Sequence, residues 1–199
     1  MPKIWTTTEK RDIQTFIASA PDENPWVHGQ PEPECIEVVP YDAHWPHLFA
    51  TQSQRIAAAL GDIALTIAHV GSTAVPHLAA KPVIDIDLIV PNPHLEVQYV
   101  PALTELGYEL TIREPSWYQH RMLRLAQPRV NLHVFGPHCP EHWRHQLFKQ
   151  WLIQHPEDCA RYAEAKMQSR HHVATVAAYN QKKQQIVREI YQKLFAALD

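Results

Sequence analysis

The segment of residues 83–90 constrains the fold of this chain more strongly than any other part of the sequence. It contains six apolar residues, most of them β-branched, which are interrupted only by Asp85 and Asp87. This composition predicts a β-strand, and apolar residues on both sides of the acids indicate a central position in a sheet. Because side chains alternate along a strand, both carboxylates are expected on one face and the intervening apolar side chains on the other.

The two aspartates predict a metal site. Two residues of strand separate the carboxylates by ~6.7 Å, and like charges at that distance repel by roughly 2.5 kcal/mol at an effective dielectric constant of about 20. A divalent cation between them turns the repulsion into attraction, and hard oxygen ligands favour Mg²⁺ or Mn²⁺ over zinc. We therefore expect Asp85 and Asp87 to be metal ligands. The alternative is that both acids lie on a solvated sheet face.

A phosphate-binding bend is predicted before this strand. Gly71, Ser72 and Thr73 follow a strand candidate at residues 65–70 and begin a connector that is too long for a tight hairpin. Glycine permits a close backbone approach, and the N–H groups and hydroxyls of such a bend can hold phosphate oxygens. Lys81, near the end of the connector, is a candidate to neutralise a phosphate, and an ordinary exposed lysine is the alternative.

The order of predicted elements indicates an α+β fold, in which a sheet with flanking helices is followed by a C-terminal helical cap from about residue 141. A short helix and a Pro-rich connector are expected in residues 1–34, and the main domain in residues 35–199. The patterns predict strands at residues 36–39, 65–70, 83–90, 108–112, 122–125 and 130–135, and helices at residues 46–60, 95–106, 141–155, 157–168 and 175–198.

Composition and charge narrow the classes of function. With 45% hydrophobic and 20% charged residues, the 199-residue chain suits one globular domain. A formal net charge of -3 gives no general cationic field, so a small nucleotide or phosphate ligand is expected rather than nucleic acid.

No apolar stretch approaches the roughly 20 residues of a membrane helix, and three cysteines without a Cys-x-x-Cys pair suit a reducing compartment. A cytoplasmic protein is therefore expected. The sequence does not indicate how many subunits the protein has.

Several segments around the two acids share a pattern with a known family. Residues 67–76 and 78–86 resemble the signature of the GrpB family, which belongs to the nucleotidyltransferase superfamily. The resemblance continues at residues 131–135 and in two tyrosine–lysine spacings near the C-terminus. It begins at about residue 36 and leaves residues 1–34 unassigned. A nucleotidyltransferase-like mixed β-sheet is the fold that it implies.

The resemblance also implies a mechanism. In this mechanism Asp85 and Asp87 hold Mg²⁺ on a nucleoside triphosphate, Ser72 binds the phosphates, and an acceptor hydroxyl attacks in line to release pyrophosphate. Phosphoryl chemistry depends on positioning and charge neutralisation more than on covalent help from the protein. A Mg²⁺-dependent nucleotidyltransferase acting on a small acceptor is therefore implied. The alternatives are an inactive nucleotide- or phosphate-binding module, and a scaffold in which the acids pair only with lysines of the cap.

One feature of active superfamily members is missing from the sequence. They generally supply a third carboxylate from a later strand, where this chain has Asn131 and His133. A histidine has a pKa near neutrality and can accept a proton or bind a metal, so His133 is the predicted third catalytic residue. A packed or surface histidine is the alternative. Glu114 is the only acid near the right region to act as a substitute.

Positive side chains of the C-terminal helices complete the set of candidates. Lys166 and Lys182 are predicted to reach a triphosphate from the cap, and the charged outer face of a helix is the alternative. The histidines of residues 133–142 suggest zinc, but their spacing fits no standard ligand pattern.

Overall fold

The computed structural model describes residues 5–30, 37–169 and 176–198 of the chain. Its strands are β1 Thr66–Val70, β2 Ile84–Ile89, β3 Glu109–Glu114, β4 His120–Leu125 and β5 Val130–Phe135. They form one five-stranded sheet in the order β1-β2-β5-β4-β3. The predicted α+β class, with a mixed sheet and flanking helices, is confirmed.

Six α-helices surround the sheet in the described part of the chain. They are α1 Thr7–Gln14, α2 Trp45–Leu60, α3 Val100–Glu105, α4 Pro140–Gln154, α5 Pro156–Ser169 and α6 Val176–Ala196. The last three form the helical cap, and it begins where the sequence predicts. Among the described residues, no helix combines the length and the apolar character needed to cross a membrane.

The two aspartates of β2 lie in the middle of the sheet. β2 pairs antiparallel with β1 and parallel with β5, and the other neighbouring strands are antiparallel. In the parallel pair, Asp85 lies beside Asn131 and Asp87 lies beside His133. Because residues paired across strands point to the same side, these four polar side chains share one face of the sheet.

The opposite face of the sheet packs on α2 and α3. Ile84, Ile86 and Leu88 are almost completely buried there, in a cluster that includes Ile56 of α2 and Leu103 of α3. This alternation of buried apolar and polar side chains confirms the strand pattern of β2. On the polar face, α4 supplies side chains that bind Asp87. The site therefore lies between the sheet and the helical cap.

The strand predicted at residues 36–39 is not formed in the part that the structure describes. Residues 37–39 contain only an isolated bridge, in which Val39 pairs with Ala80. Ile36 lies outside the described residues. Since Ala80 belongs to the connector and not to a strand, Val39 has no continuous edge on which a ladder could extend.

The helix predicted at residues 95–106 is divided in two. A 3₁₀ turn covers Glu96–Gln98, and α3 begins only at Val100. Pro101 lies in the first turn of α3, where its missing N–H costs nothing and its fixed φ suits a helix start. The proline therefore sets the beginning of a new helix and does not continue the earlier one.

The N-terminal helix packs on α4 through one buried arginine. α1 begins with a capping box formed by Thr6 and Glu9 and ends at Gln14. Arg144 of α4 is fully buried and donates hydrogen bonds to backbone carbonyls at the end of α1. Its guanidinium also lies 4.5 Å from the ring centroid of Phe16. These contacts end α1 before Phe16, although that residue has helical spacing in the sequence.

Candidate functional site

A glycine bend directly after β1 lies against one of the aspartates. Gly71 has φ 70° and ψ -169°, a region that essentially only glycine adopts, and it leads into the 3₁₀ turn Ser72–Ala74. A Cβ at Gly71 would lie 3.0 Å from the Cβ of Asp85 and would overlap the Oδ2 atom of that residue. Glycine is thus required both for the backbone angle and for the approach to Asp85.

Thr73 holds the bend from inside. Its side chain is buried, and its hydroxyl lies 3.1 Å from Nε2 of His69 and donates to the carbonyl of Val83 at 3.2 Å. The ring of His69 in turn stacks on Phe49 of α2, with the ring centroids 4.7 Å apart. The hydroxyl of Thr73 therefore points into the fold and fixes the bend, and it does not face the phosphate site that the sequence predicts.

Asp85 is the more accessible of the two acids. It is half-buried, and its Oδ1 accepts a hydrogen bond of 2.9 Å from the side-chain amide of Asn131. Asn131 is one of the two residues found at the expected position of a third carboxylate. In this arrangement it is a donor that holds Asp85 and does not add a third negative charge.

Asp87 is completely buried and is bound by two histidines of α4. Its carboxylate lies 2.9 Å from Nδ1 of His142 and 3.0 Å from Nδ1 of His145. Burial acts to raise the pKa of Asp87, but the charge of His145 and the two hydrogen bonds outweigh burial and hold that pKa below its usual value. Burial acts to lower the pKa of His145, yet the carboxylate of Asp87 raises it to about 9, so His145 is protonated at neutral pH.

The two acids do not fit a divalent cation in this arrangement. Their oxygens have the right chemistry, but both oxygens of Asp87 lie against imidazole nitrogens and one oxygen of Asp85 is taken by an amide. Within the described ranges, no group of three or more His, Cys, Asp or Glu side chains is arranged to hold a metal ion. Instead, the protonated side chain of His145 supplies the positive charge beside Asp87.

His133 lies beside Asp87 and is linked to a second histidine. Its Nδ1 is 3.1 Å from Nε2 of His120, and Nδ1 of His120 is 2.7 Å from a carboxylate oxygen of Glu114. Burial lowers the pKa of His133 to about 3, so its imidazole is neutral at neutral pH. The hydrogen-bonded series Glu114–His120–His133 thus ends next to Asp87, and the carboxylate of Glu114 is connected to the site only through two imidazoles.

A cavity opens between the glycine bend and the helical cap. It has a volume of about 70 Å³. Ser72, His145 and Lys149 contribute polar side chains to a lining that is otherwise mainly apolar and includes Phe148, Leu152, Tyr162 and Tyr191. The ammonium of Lys149 donates to the carbonyl of His69 at 2.9 Å, which fixes it close to the end of β1. Among the described residues that line this cavity there are two cationic side chains and no carboxylate. We call it the bend cavity.

The other predicted lysines lie in different places. Lys166 is buried, donates to the carbonyl of Ala79 at 2.6 Å and lies 5.3 Å from the ring centroid of Tyr162, so it ties the connector to α5. Lys81 lines a separate cavity at the start of β2. Lys182 belongs to α6, but its side chain lies outside the described residues.

Sequence reasoning missed the contribution of α4 to the site. His142, His145 and Lys149 are separated by three and four residues, which places them on one helix face. That spacing was readable, but the sequence does not show which strand the face meets. Only the packing of α4 on the sheet brings His142 and His145 to Asp87, across separations of 55 and 58 residues.

The shifted pKa values of His145, His133 and His69 predict that the protein is most stable close to pH 6.5. The pKa of His145 is raised to about 9, so its stabilising effect is complete below pH 6.5 and is lost as the pH rises towards 9. Burial lowers the pKa of His133 to about 3 and that of His69 to about 4, so their neutral forms stabilise the fold above pH 6.5 and less as the pH falls. Urea unfolding between pH 5 and 8.5 should show both declines. The variant His145→Gln should lose the alkaline decline, and an unchanged alkaline decline in this variant would contradict the assignment.

The elements of the site occur in the order that the sequence predicts. A strand, a glycine-serine bend with a short 3₁₀ turn, and a neighbouring strand place Asp85 and Asp87 on one face, beside the bend. The family model described as GrpB protein matches residues 35–193. The chain belongs to the GrpB family.

Individual relatives agree with this assignment. UPF0157 protein BH1888 of Halalkalibacterium halodurans is 41% identical over 165 residues, which is 82% of this chain and 85% of that protein. The crystal structure of GrpB from Enterococcus faecalis is similar with a TM-score of 0.70 and 26% identity, over 81% of this chain and 98% of that chain. The Cid1 poly(U) polymerase with Mg and 3′-dATP bound gives a TM-score of 0.42 at 11% identity, over 73% of this chain and 49% of that chain. A similarity that low says nothing about activity.

Proposed function

We propose that the protein binds the phosphate group of a phosphorylated small molecule in the bend cavity. The observation that supports this proposal is the cavity lining, in which Ser72, the protonated His145 and Lys149 face one small space. The ammonium of Lys149 is a charge that compensates a phosphate, and the hydroxyl of Ser72 adds a donor. The imidazolium of His145 is already paired with Asp87 and lies 3.6 Å from Glu141, so it contributes less to a phosphate than Lys149 does. The exposed backbone of Gly71 leaves the bend open to solvent.

The size of the cavity limits which part of a ligand it can hold. A single water needs roughly 10–15 Å³ of such space, so about 70 Å³ accommodates one phosphate group and its contacts. A whole nucleotide does not fit inside, and its remaining groups would extend past Gly71 into solvent. We therefore propose a nucleoside triphosphate, bound through a terminal phosphate, as the candidate ligand that the family resemblance favours.

Nucleotidyl transfer to a small acceptor is the second candidate. It is favoured by the position of Asp85, which is half-buried and lies directly against Gly71. The transfer mechanism implied by the family resemblance needs Mg²⁺ or Mn²⁺ on both acids, and Asp87 is bound to His142 and His145 instead. Because that pairing already neutralises Asp87, phosphate binding without metal is the function that the geometry supports best.

A calorimetric titration with ATP and with inorganic tripolyphosphate tests both candidates. Both compounds should bind in the presence of EDTA, and the variant Lys149→Gln should bind them about tenfold or more weakly, because a charge-assisted hydrogen bond contributes roughly 1.5–3 kcal/mol. Lys10→Gln, a lysine of α1 that does not line the bend cavity, is the matched control and should bind normally. Binding that requires Mg²⁺ and is followed by pyrophosphate release would establish transfer. If neither compound binds in the presence of EDTA or in the presence of Mg²⁺, both candidates are refuted.

A further inference from the structure

Three adjacent strands place an acid and two histidines in one hydrogen-bonded row on the polar face of the sheet. Glu114 ends β3, His120 begins β4 opposite Glu114, and His133 belongs to β5. Nδ1 of His120 is 2.7 Å from a carboxylate oxygen of Glu114, and Nε2 of His120 is 3.1 Å from Nδ1 of His133. Both nitrogens of His120 are therefore occupied. We call these three side chains the histidine row.

The carboxylate of the row determines which nitrogens carry protons when both rings are neutral. A carboxylate only accepts hydrogen bonds, so Nδ1 of His120 carries the proton that is donated to Glu114. Nε2 of a neutral His120 then has a lone pair, and it accepts a hydrogen bond from Nδ1 of His133. His133 is left with its own lone pair on Nε2. Glu114 thus fixes the tautomer of a histidine that lies two strands away.

The lone pair on Nε2 of His133 is the open end of the row. Within the described part of the chain this atom makes no hydrogen bond, and it is not a fully buried atom. The ring centroid of His133 lies 6.0 Å from that of His145, which lines the bend cavity. A ligand in that cavity is therefore one side chain away from the lone pair. A lone pair accepts a proton, so the ligand group that it suits is a hydroxyl.

His133 is a poor place to keep an added proton. Burial has the largest effect on the pKa of His133 and lowers it to about 3. Charges on three neighbouring side chains act in the same direction, and the carboxylate of Asp87 acts against them; the three are His120, His145 and Arg124. An isolated histidine in this position would therefore be a weak base.

His120 is a better place for the positive charge. Its ring is buried, and the carboxylate of Glu114 lies within hydrogen-bond distance to offset the cost of burying a charge. The ring also stacks on Phe135, with the ring centroids 4.9 Å apart, and an aromatic face attracts a cation. Ser19 lies 3.3 Å from the other oxygen of Glu114 and donates to it, which holds the acid in place.

We propose that the histidine row is a proton relay, in which His133 takes a proton from a hydroxyl group of a bound ligand and His120 keeps the positive charge beside Glu114. The O–H bond of the ligand breaks as Nε2 of His133 accepts the proton. The proton on Nδ1 of His133 moves to Nε2 of His120, so His133 stays neutral and His120 becomes an imidazolium. His133 is then the catalytic residue, and Glu114 and His120 are positioning residues.

The relay deepens the second candidate function. Nucleotidyl transfer needs a base for the hydroxyl of the acceptor, and the row supplies one at the place where active superfamily members have a third carboxylate. This use of the relay rests on the proposed function. The relay itself is a property of the protein without a ligand, so it can be tested separately.

Nitrogen-15 NMR of the histidine side chains in the ligand-free protein tests the relay, because it distinguishes the two neutral tautomers from the imidazolium. The variants His120→Asn and His133→Asn identify the signals by their loss. As the pH is lowered from 9 to 5, His120 should become an imidazolium, and the proton of His133 should move from Nδ1 to Nε2 while that ring stays neutral. A purely structural pair would not change tautomer in this way. A His133 that keeps one tautomer throughout, or that becomes an imidazolium before His120, would refute the relay.

A substitution of the acid shows whether Glu114 holds the charge. Glu114→Gln keeps an acceptor for His120 but removes the negative charge. The change of tautomer should move to a pH about 1–3 units lower, the usual effect of a nearby opposite charge. Glu109→Gln, which changes an exposed acid of the same strand, is the matched control and should not move it. If the two variants behave alike, the relay is refuted.

The results also distinguish failure of the relay from failure of the proposed function. A change of tautomer in a protein that binds neither ATP nor tripolyphosphate supports the relay and refutes the proposed function. If the protein releases pyrophosphate, Glu114→Gln should slow the release about hundredfold or more, the usual contribution of a general base. Release at the wild-type rate in this variant, or release by a wild type in which His133 never changes tautomer, would leave transfer standing and refute the relay.

Discussion

Replacing Gly71 with alanine is expected to abolish phosphate binding in the bend cavity and to destabilise the fold by about 1–3 kcal/mol. The added methyl would overlap Oδ2 of Asp85 and lie 3.0 Å from its Cβ, and the backbone angles at Gly71 are unfavourable for any other residue. Relief of both strains requires the bend to move away from β2, which displaces Ser72 from the cavity. Calorimetric titration with tripolyphosphate and urea unfolding measure the two effects.

A variant at a second glycine distinguishes the effect of the contact with Asp85 from the effect of backbone strain. Gly61 also has a positive φ, of 52°, but a Cβ there would meet no atom within 4 Å. The variant Gly61→Ala should therefore lose stability and keep wild-type affinity. Wild-type affinity in Gly71→Ala would show that the bend does not contact the ligand and would refute the proposed site.

Replacing Arg144 with methionine is expected to destabilise the protein by about 3–5 kcal/mol, the usual result of removing one partner from a buried ionic network. The guanidinium donates to the carbonyls of Asp12 at 2.9 Å and Ile13 at 2.7 Å, and it pairs with Glu141. Methionine fills much of the volume but leaves the carbonyls at the end of α1 without donors. The midpoint of urea unfolding should fall markedly.

Two further arginine variants make this prediction specific. Arg144→Lys keeps the charge but not the planar fork, so it should recover only part of the lost stability. Arg11→Met changes an exposed arginine on α1 itself and should leave the unfolding midpoint nearly unchanged. A loss in Arg144→Met no greater than that in Arg11→Met would show that Arg144 does not anchor the N-terminal helix.

The parts of the site that depend on local pattern were predictable from the sequence. The alternation in residues 83–90 predicts that Asp85 and Asp87 share a face, and the structure confirms it through the burial of the residues between them. The position of Gly71 after a strand likewise predicts a bend, and its backbone angles explain why glycine is there. Both inferences need only the geometry of single strands and turns.

The parts that depend on long-range packing were not predictable from the sequence. The inward direction of Thr73 follows from its contacts with His69 and Val83, which no residue spacing reveals. The histidines on Asp87 come from a helix more than fifty residues further along the chain. Asp87, which the sequence predicts as a metal ligand, is thus bound by two imidazoles. This could not be predicted, because the sequence does not specify which face of α4 meets β2.

The parallel pairing of β2 with β5 determines when the site can form during folding. The partners of the two acids lie 46 to 58 residues beyond them along the chain, so a nascent chain that ends before Asn131 contains both carboxylates and the glycine bend but none of these partners. Closing such a long loop costs conformational entropy before the new contacts compensate for it, and pairings of this kind form slowly. Until β5 and α4 have docked, the neighbouring negative charges of β2 repel each other. The polar centre of the protein can therefore be completed only after residues of the second half of the chain have been synthesised.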